Sequence, residues 1–356
     1  MMNRKRLLKA IQNNQTVRIV NIDGFFMENF TVRQQLDFWD AIANLPNLEE
    51  IHISYFLGLG LESSALQCIA CKALRLINLS IHDTNLLPGG DWNVSFKDHP
   101  ALSVISITQL SISQPSSSEK ETALDKLLSA CLSAPNLRKL TIRMAQTQSN
   151  LLNHSTIHKL AQTTLKTLEL RRVVLDDEAL GHLMRLLTGT KTALAGSLRE
   201  LVVECGEMLK VSGCASISEM LQSNSSLVHL ELWGTCIDAS GTKLITEALK
   251  TNRKLKVLHM SHVNIGWNEQ QKFFEMLQYN YFLESIVLQQ SLHDTMFLRT
   301  LDFFLKMNTT QIRRLMLNIN ANAEQILDKI LVHSINLNYV YHLLRGNPDF
   351  IPHQFQ

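Results

Sequence analysis

LVHLELWGTCIDASGTKLITEALKTNRK, residues 227–254, decides how the rest of the chain is read. Leu227, Leu230 and Leu232 fit a short strand with Leu230 and Leu232 on one face, because side chains alternate faces along a strand. Ile237 closes the turn that follows. Leu244, Ile245, Ala248 and Leu249 then recur at three-to-four spacing, the stripe of a helix with one buried face. Asn252 reads as the turn back towards another strand. One strand and one helix cannot bury both faces alone, so this segment predicts copies of itself on either side.

Copies are present. The pattern L-x-x-L-x-L starts at Val17, Leu48, Leu74, Leu102, Leu137, Leu165, Leu198, Leu227, Leu255, Leu283, Ile312 and Leu337. From Leu227 to Ile312 the interval stays at 28 or 29 residues, a register that unrelated apolar runs do not keep. The expected fold is an α/β, right-handed leucine-rich-repeat solenoid: parallel strands line a concave face and helices a convex one. Helices are wider than the roughly 4.7–4.9 Å between strands, so such an array bends into a horseshoe. Twelve strands give an arc on the order of 50 Å, the scale of a protein partner and not of a metabolite. The reading makes residues 1–345 a single domain and 346–356 a C-terminal tail. Residues 1–16 are its N-terminal cap, with Leu7, Leu8 and Ile11 available to cover the first strand.

The period bends in places. Residues 80–101 contain Pro-Gly-Gly and no helical stripe, so this repeat is expected to return by a loop. Residues 108–120 read as a surface excursion, mobile over 114–120. Residues 188–197 and 205–214 read as looser segments around the seventh strand.

Composition narrows the function. A chain of 356 residues, 45% hydrophobic and 19% charged, is foldable but too long for one compact core. Its 34 basic and 32 acidic residues argue against a dedicated nucleic-acid binder, which needs a surplus of cations for the phosphates. No run reaches 18 apolar residues, so no membrane insertion is expected. The start, MMNRKRLLKAIQNNQ, lacks an apolar stretch of signal-peptide length, which points to an intracellular, cytoplasmic location. Six cysteines are too sparse for a disulfide framework. Cys68-Ile-Ala-Cys71 reads as buried small apolar residues, not as zinc or thiol chemistry. The motifs G-x-S-x-G, G-x-x-x-x-G-K-S/T, H-E-x-x-H and G-x-G-x-x-G are missing, so no enzyme, metal or cofactor is expected. Asp176-Asp177 falls where a repeat starts its helix, a structural place for a carboxylate.

The repeats LVHLELWGTCIDASGTKLITEALKTN, LKTLELRRVVLDDEALGHLMRLL and LKVLHMSHVNIGWNEQQKFFEMLQYN resemble the ribonuclease-inhibitor-like class of intracellular leucine-rich repeats. The resemblance covers about residues 17–345. It implies the solenoid fold and a protein-binding scaffold or adaptor; the alternative it implies is a regulator of a small GTPase, of the activating type. The position after each strand, commonly Asn or Cys in the class, departs from it at Phe25, Val173, Thr235, Val263 and Ser291, while Asn320 keeps it.

Residues at positions two, three, five, seven and eight of each repeat face solvent and are the candidates for binding a protein. Position two is basic in seven of twelve repeats, including Arg75 and the consecutive Arg138, Lys166 and Arg199. Arg143 and Arg171 stand at position seven, with Arg172 beside them, and Glu169, Glu200 and Glu204 counter this patch in part. Arg suits carboxylates because its planar fork makes paired hydrogen bonds, although its stem also covers a rim with the charge left wet. Glu231 and Trp233 of the eighth repeat and His259 of the ninth complete the set. An exposed Trp is a favoured anchor for a partner. His229, His259 and His262 lack metal-ligand spacing and read as surface residues.

Overall fold

A computed structural model describes residues 4–28, 30–86, 94–112, 123–149, 154–205, 209–234, 237–261, 266–289, 295–316 and 323–332. The chain forms two compact units, residues 1–206 and 207–356. The first holds β1 (Ile19–Asp23), β2 (Glu50–Leu61), β3 (Asn78–Leu86), β4 (Val104–Ile112), β5 (Lys139–Ser149), β6 (Thr167–Leu175) and β7 (Glu200–Cys205). The second holds β8 (His229–Trp233), β9 (Val257–Ser261) and β10 (Ser285–Gln289). Within each unit, strands consecutive in sequence pair side by side and parallel. Strands alternate with helices. This is a right-handed leucine-rich-repeat-like solenoid fold.

Alternation along the strands builds the core. In the first unit Ile51, Leu79, Ile105, Leu140, Leu168 and Leu201 share one register row, and all are buried. Ile53, Ile81, Ile107, Ile142, Leu170 and Val203 form a second buried row. Each such side chain contributes roughly 1.5–3 kcal/mol by leaving water. Before each strand, one carbonyl accepts two N–H groups from the next repeat. The Arg138 carbonyl takes Lys166 and Thr167, and the Lys166 carbonyl takes Arg199 and Glu200.

Four strands of this unit share a left-handed residue. Tyr55, Asp83, Gln109 and Arg172 have φ of 59°, 45°, 54° and 57°. Each follows an outward-facing residue, and the one after it turns into the core: Phe56, Thr84, Leu110 and Val173 are all buried. The extra residue lets positions three apart, such as Ile53 and Phe56 or Leu170 and Val173, serve the same face. It also explains why Val173 departs from the commoner Asn: it fills core volume instead of capping backbone. Gly24 is required where the chain leaves β1, because a Cβ there would collide with the Tyr55 carbonyl.

The second unit is pinned by buried asparagines 28 residues apart, Asn224, Asn252, Asn280 and Asn308. The Asn252 side chain accepts from Lys254 N (2.9 Å) and Leu255 N (2.8 Å), and donates back to the Leu221 carbonyl (2.6 Å). Asn280 accepts from Phe282 N and Leu283 N, both at 2.9 Å, and donates to the Leu249 carbonyl at 2.7 Å. Each therefore fixes its own turn and ties it to the turn before. Arg313 ends the series. Its buried guanidinium donates to the carbonyls of Gln278 and Asn280 and to Asn308 Oδ1, at 2.9, 3.0 and 2.9 Å. Burial lowers its pKa to about 10.

Several sequence expectations are corrected. The third repeat starts at Leu76, not Leu74: Leu76 is fully buried, Leu74 is exposed, and Leu79 and Ile81 pair with Ile51 and Ile53. Position two of that repeat is therefore Ile77, and Arg75 instead donates to Asn47 Oδ1. The pattern at Ile312 is not a strand but a helix, Ile312–Met316. Arg313 in this helix is buried, with its guanidinium spent on the asparagine series. The segment expected to be loose at 205–214 contains the start of a helix, Val211–Ser223, and 188–197 contains the short helix Ala193–Ser197. Of the stretch expected to loop at 80–101, residues 80–86 belong to β3 and 87–93 lie outside the described residues, while 94–101 contain no helix and bury Val94, Phe96 and His99. Of the excursion expected at 108–120, residues 108–112 are instead the end of β4. Residues 113–120, Thr235, His262, Val263, Ser291, Asn320, the pattern from Leu337 and the tail at 346–356 lie outside the described residues.

Candidate functional site

The sheet face turned away from the core carries the candidate residues, and each unit presents its own group. In the first unit Arg143 of β5 and Arg171 of β6 are register partners, outward of Ile142 and Leu170. Arg138 and Arg199 are exposed and Lys166 half-exposed at the strand entries. The patch is more tied down than its sequence suggests. Arg171 Nε contacts Glu169 Oε1 in a half-buried ion pair. Arg172 sits in the left-handed conformation; its backbone N–H is bound by Glu204 Oε2 and its guanidinium by the Ala145 carbonyl. Glu200 accepts from Thr167 Oγ1 at 2.9 Å. Arg171 and Arg172 therefore belong to the structure of β6, whereas Arg138 and Arg143 are exposed to solvent.

In the second unit β8 and β9 bring Glu231, Trp233 and His259 together, with His229 added. Glu231 and His259 are register partners. The Trp233 indole N–H donates to Glu231 Oε2 at 2.7 Å, and His229 Nε2 meets Glu231 Oε1 at 2.9 Å. The Trp233 and His259 rings lie 4.3 Å apart, tilted by 57°. Trp233 is half-buried, not fully exposed, with the His259 ring against it and Glu231 on its indole N–H. Gly234, at φ 69°, follows it and turns the chain away. Val287 of β10, paired with His259 and 45% exposed, extends the apolar edge. Sequence reading missed the part played by His229. A histidine two residues before a strand carboxylate shares its face, and that spacing was the available signal.

Both Glu231 oxygens are held by neighbours, leaving a rigid aromatic ring with a satisfied polar end. No group of three His, Cys, Asp or Glu that could hold a metal ion occurs among the described residues. Asp176 caps the helix Asp177–Leu187 by accepting from Ala179 N at 2.8 Å. Of the cysteine pair, Cys68 is half-buried but Cys71 is exposed on the helix Ser63–Lys72, against the expectation that both are core. Burial, then Asp40, pushes the Cys68 thiol up, and Gln67 Nε2 lies 3.1 Å from Cys71 Sγ. Among the described residues no helix is long and apolar enough to cross a membrane.

No family model matches the chain, and no curated protein matches it. Among solved structures, the leucine-rich repeat-containing protein LegL7 from Legionella pneumophila is similar over 84% of this chain and 93% of its own. Its identity is 14% and its TM-score 0.40. A Bacteroides fragilis protein is similar over 80% of this chain and 71% of its own, at 14% identity and TM-score 0.40. Actin-binding site 2 of leiomodin-1 is similar over 39% of this chain and 78% of its own, at 18% identity and TM-score 0.33.

Proposed function

We propose that this chain is a non-enzymatic protein-binding scaffold of the ribonuclease-inhibitor-like type, whose partner docks on the open sheet face of the second unit. The observation that carries the reading is Trp233, set in place by Glu231 and His259 on the face the core leaves uncovered. A ring already held in one orientation loses little freedom when a partner covers it. Truncating such an anchor typically costs 2 kcal/mol or more in binding, whereas a rim charge mainly alters the association rate. In the first unit Arg138 and Arg143 are exposed cations of that second kind, and an acidic patch is their complement.

The test uses a partner captured from cell extract and measured by calorimetry. Trp233→Ala should weaken binding at least tenfold at every salt concentration. Arg138→Glu with Arg143→Glu should weaken it mainly at low salt, where screening is least. Arg171 and Arg172 are poor choices for that comparison, since altering them disturbs Glu169 and the turn of β6. Unchanged affinity in both folded variants rejects the open sheet face as the docking surface.

A further inference from the structure

The helix Arg4–Gln12 does not seal the first strand. It packs beside the helix Val32–Ala43, and its apolar residues Leu7, Leu8 and Ile11 stay half-exposed. Between it and β1 runs a cleft of about 560 Å³ lined by Leu7, Ile11, Ile22, Phe26, Phe38 and Ile42. All five residues of β1, Ile19 to Asp23, border it in succession. Side chains alternate along a strand, so five consecutive residues can meet one cleft only along the strand's backbone edge.

That edge is open. The Arg18 carbonyl accepts Glu49 N and Glu50 N of the neighbouring strand. The alternation of a parallel ladder then gives the N–H and C=O groups of Val20 and Ile22 to β2 and turns those of Ile19 and Asn21 towards the cleft. Among the described residues nothing pairs with them. Unpaired backbone groups along an apolar slot are a template for another strand. A purely apolar ligand would cover the walls but leave these groups unmet. An extended peptide satisfies both, with alternate side chains entering the slot.

Charge selects among peptides. The flanking helix carries Arg4, Lys5, Arg6 and Lys9 without any acidic residue, and Arg18, ion-paired with Glu49 at 3.8 Å yet 70% exposed, stands at the strand's entry. Asp23, the acid that borders the cleft, is turned to Phe25 N at 2.9 Å. Two copies of this chain meeting here would oppose two strongly basic helices. From the open edge, the apolar slot and this charge, we propose that β1 is a strand-addition site for an extended segment of another protein, apolar at alternate positions and flanked by Asp or Glu.

The test pans the full-length chain against a displayed library of random dodecapeptides. The expected winners alternate apolar residues between acidic flanks. Asn21→Pro removes an N–H that faces the cleft but no rung shared with β2, and Pro is tolerated on an edge strand. It should lower affinity for a winning peptide at least tenfold. Arg6→Glu with Lys9→Glu should lower it several-fold, most at low salt. Should Asn21→Pro fold poorly, amide exchange on the unaltered chain decides: the peptide should slow exchange at Ile19 and Asn21. Winners without the alternating acidic pattern, no winners, unslowed exchange, displacement of the peptide by a fatty acid, or self-association in sedimentation would each overturn the assignment.

Discussion

Replacing Asn280 by Ala should destabilise the second unit by about 3–5 kcal/mol, a size set by what its side chain holds. Asn280 is fully buried. Its Oδ1 takes Phe282 N and Leu283 N, and its Nδ2 serves the carbonyls of Leu249 (2.7 Å) and Asn252 (3.2 Å). An alanine leaves two backbone donors and at least one acceptor without partners, each costing roughly 1–3 kcal/mol where water cannot reach. Some relaxation offsets the upper part of that range. Near the midpoint of thermal unfolding 1 kcal/mol corresponds to about 2–4 °C for a unit of this size, so the loss should lie on the order of 10 °C. Asn280→Asp is the informative companion. It keeps the acceptor but sets a carboxylate against the Leu249 and Asn252 carbonyls, so it should be no better than Ala at neutral pH. Asn47→Ala supplies the control: half-buried, its Nδ2 donates to the Gln15 carbonyl at 2.6 Å and its Oδ1 accepts from Arg75, both bonds open to water, so the loss should be about 1 kcal/mol or less. Urea unfolding followed by circular dichroism measures all three. An Asn280→Ala protein within 1 kcal/mol of the parent would refute the claim that the buried asparagines hold the turns together.

Two further predictions concern titrating groups. His99 is buried without a completed hydrogen bond at either ring nitrogen, and burial, opposed in part by the Ala73 carbonyl, holds its pKa below the ordinary 6.5. As pH falls through 6.5 the unfolded chain takes up a proton that folded His99 refuses, so stability should fall; above that pH both states are neutral and the effect vanishes. His99→Phe should flatten the difference in urea midpoint between pH 7.5 and 5.5, and an unchanged slope would clear His99 of the effect. Cys71 is exposed whereas the buried Cys131 thiol is pushed up to about 12 by desolvation. Peptide mapping after brief iodoacetamide treatment of the native protein should find Cys71 alkylated and Cys131 intact; rapid labelling of Cys131 would show that its repeat opens.

Much of this was legible from residues 227–254 outward, because alternation and the 28-residue interval are local and each repeat is stabilised by similar neighbours. Leu230 and Leu232, or Leu140 and Ile142, could be placed inward without any structure. The misplacement at Leu74 has a definite source: LRLINLSI offers two overlapping frames, and only the pairing of Leu79 with Ile51 chooses between them. The segment at Ile312 keeps the apolar spacing of a strand, yet the burial of Arg313 against Asn280 and Asn308 is a long-range event that spacing cannot reveal. The same holds for the candidate site. Arg143, Arg171, Glu231, Trp233 and His259 could be assigned to the open face by counting, but which cations are spent on neighbours depends on left-handed residues such as Arg172. The cleft beside β1 exists because the helix Arg4–Gln12 packs sideways, a choice of packing partner that its own sequence does not encode.

The central claim is that a protein partner covers the open sheet face of the second unit. Photo-crosslinking in living cells tests it most directly, with a benzophenone amino acid placed singly at Val287, beside His259 on that face, and at Glu247, exposed on the helix Ala239–Thr251. The expected result is a discrete crosslinked protein from position 287 that is lost on Trp233→Ala and not obtained from position 247. Crosslinks from position 247 alone, or a product at 287 indifferent to Trp233, would contradict it.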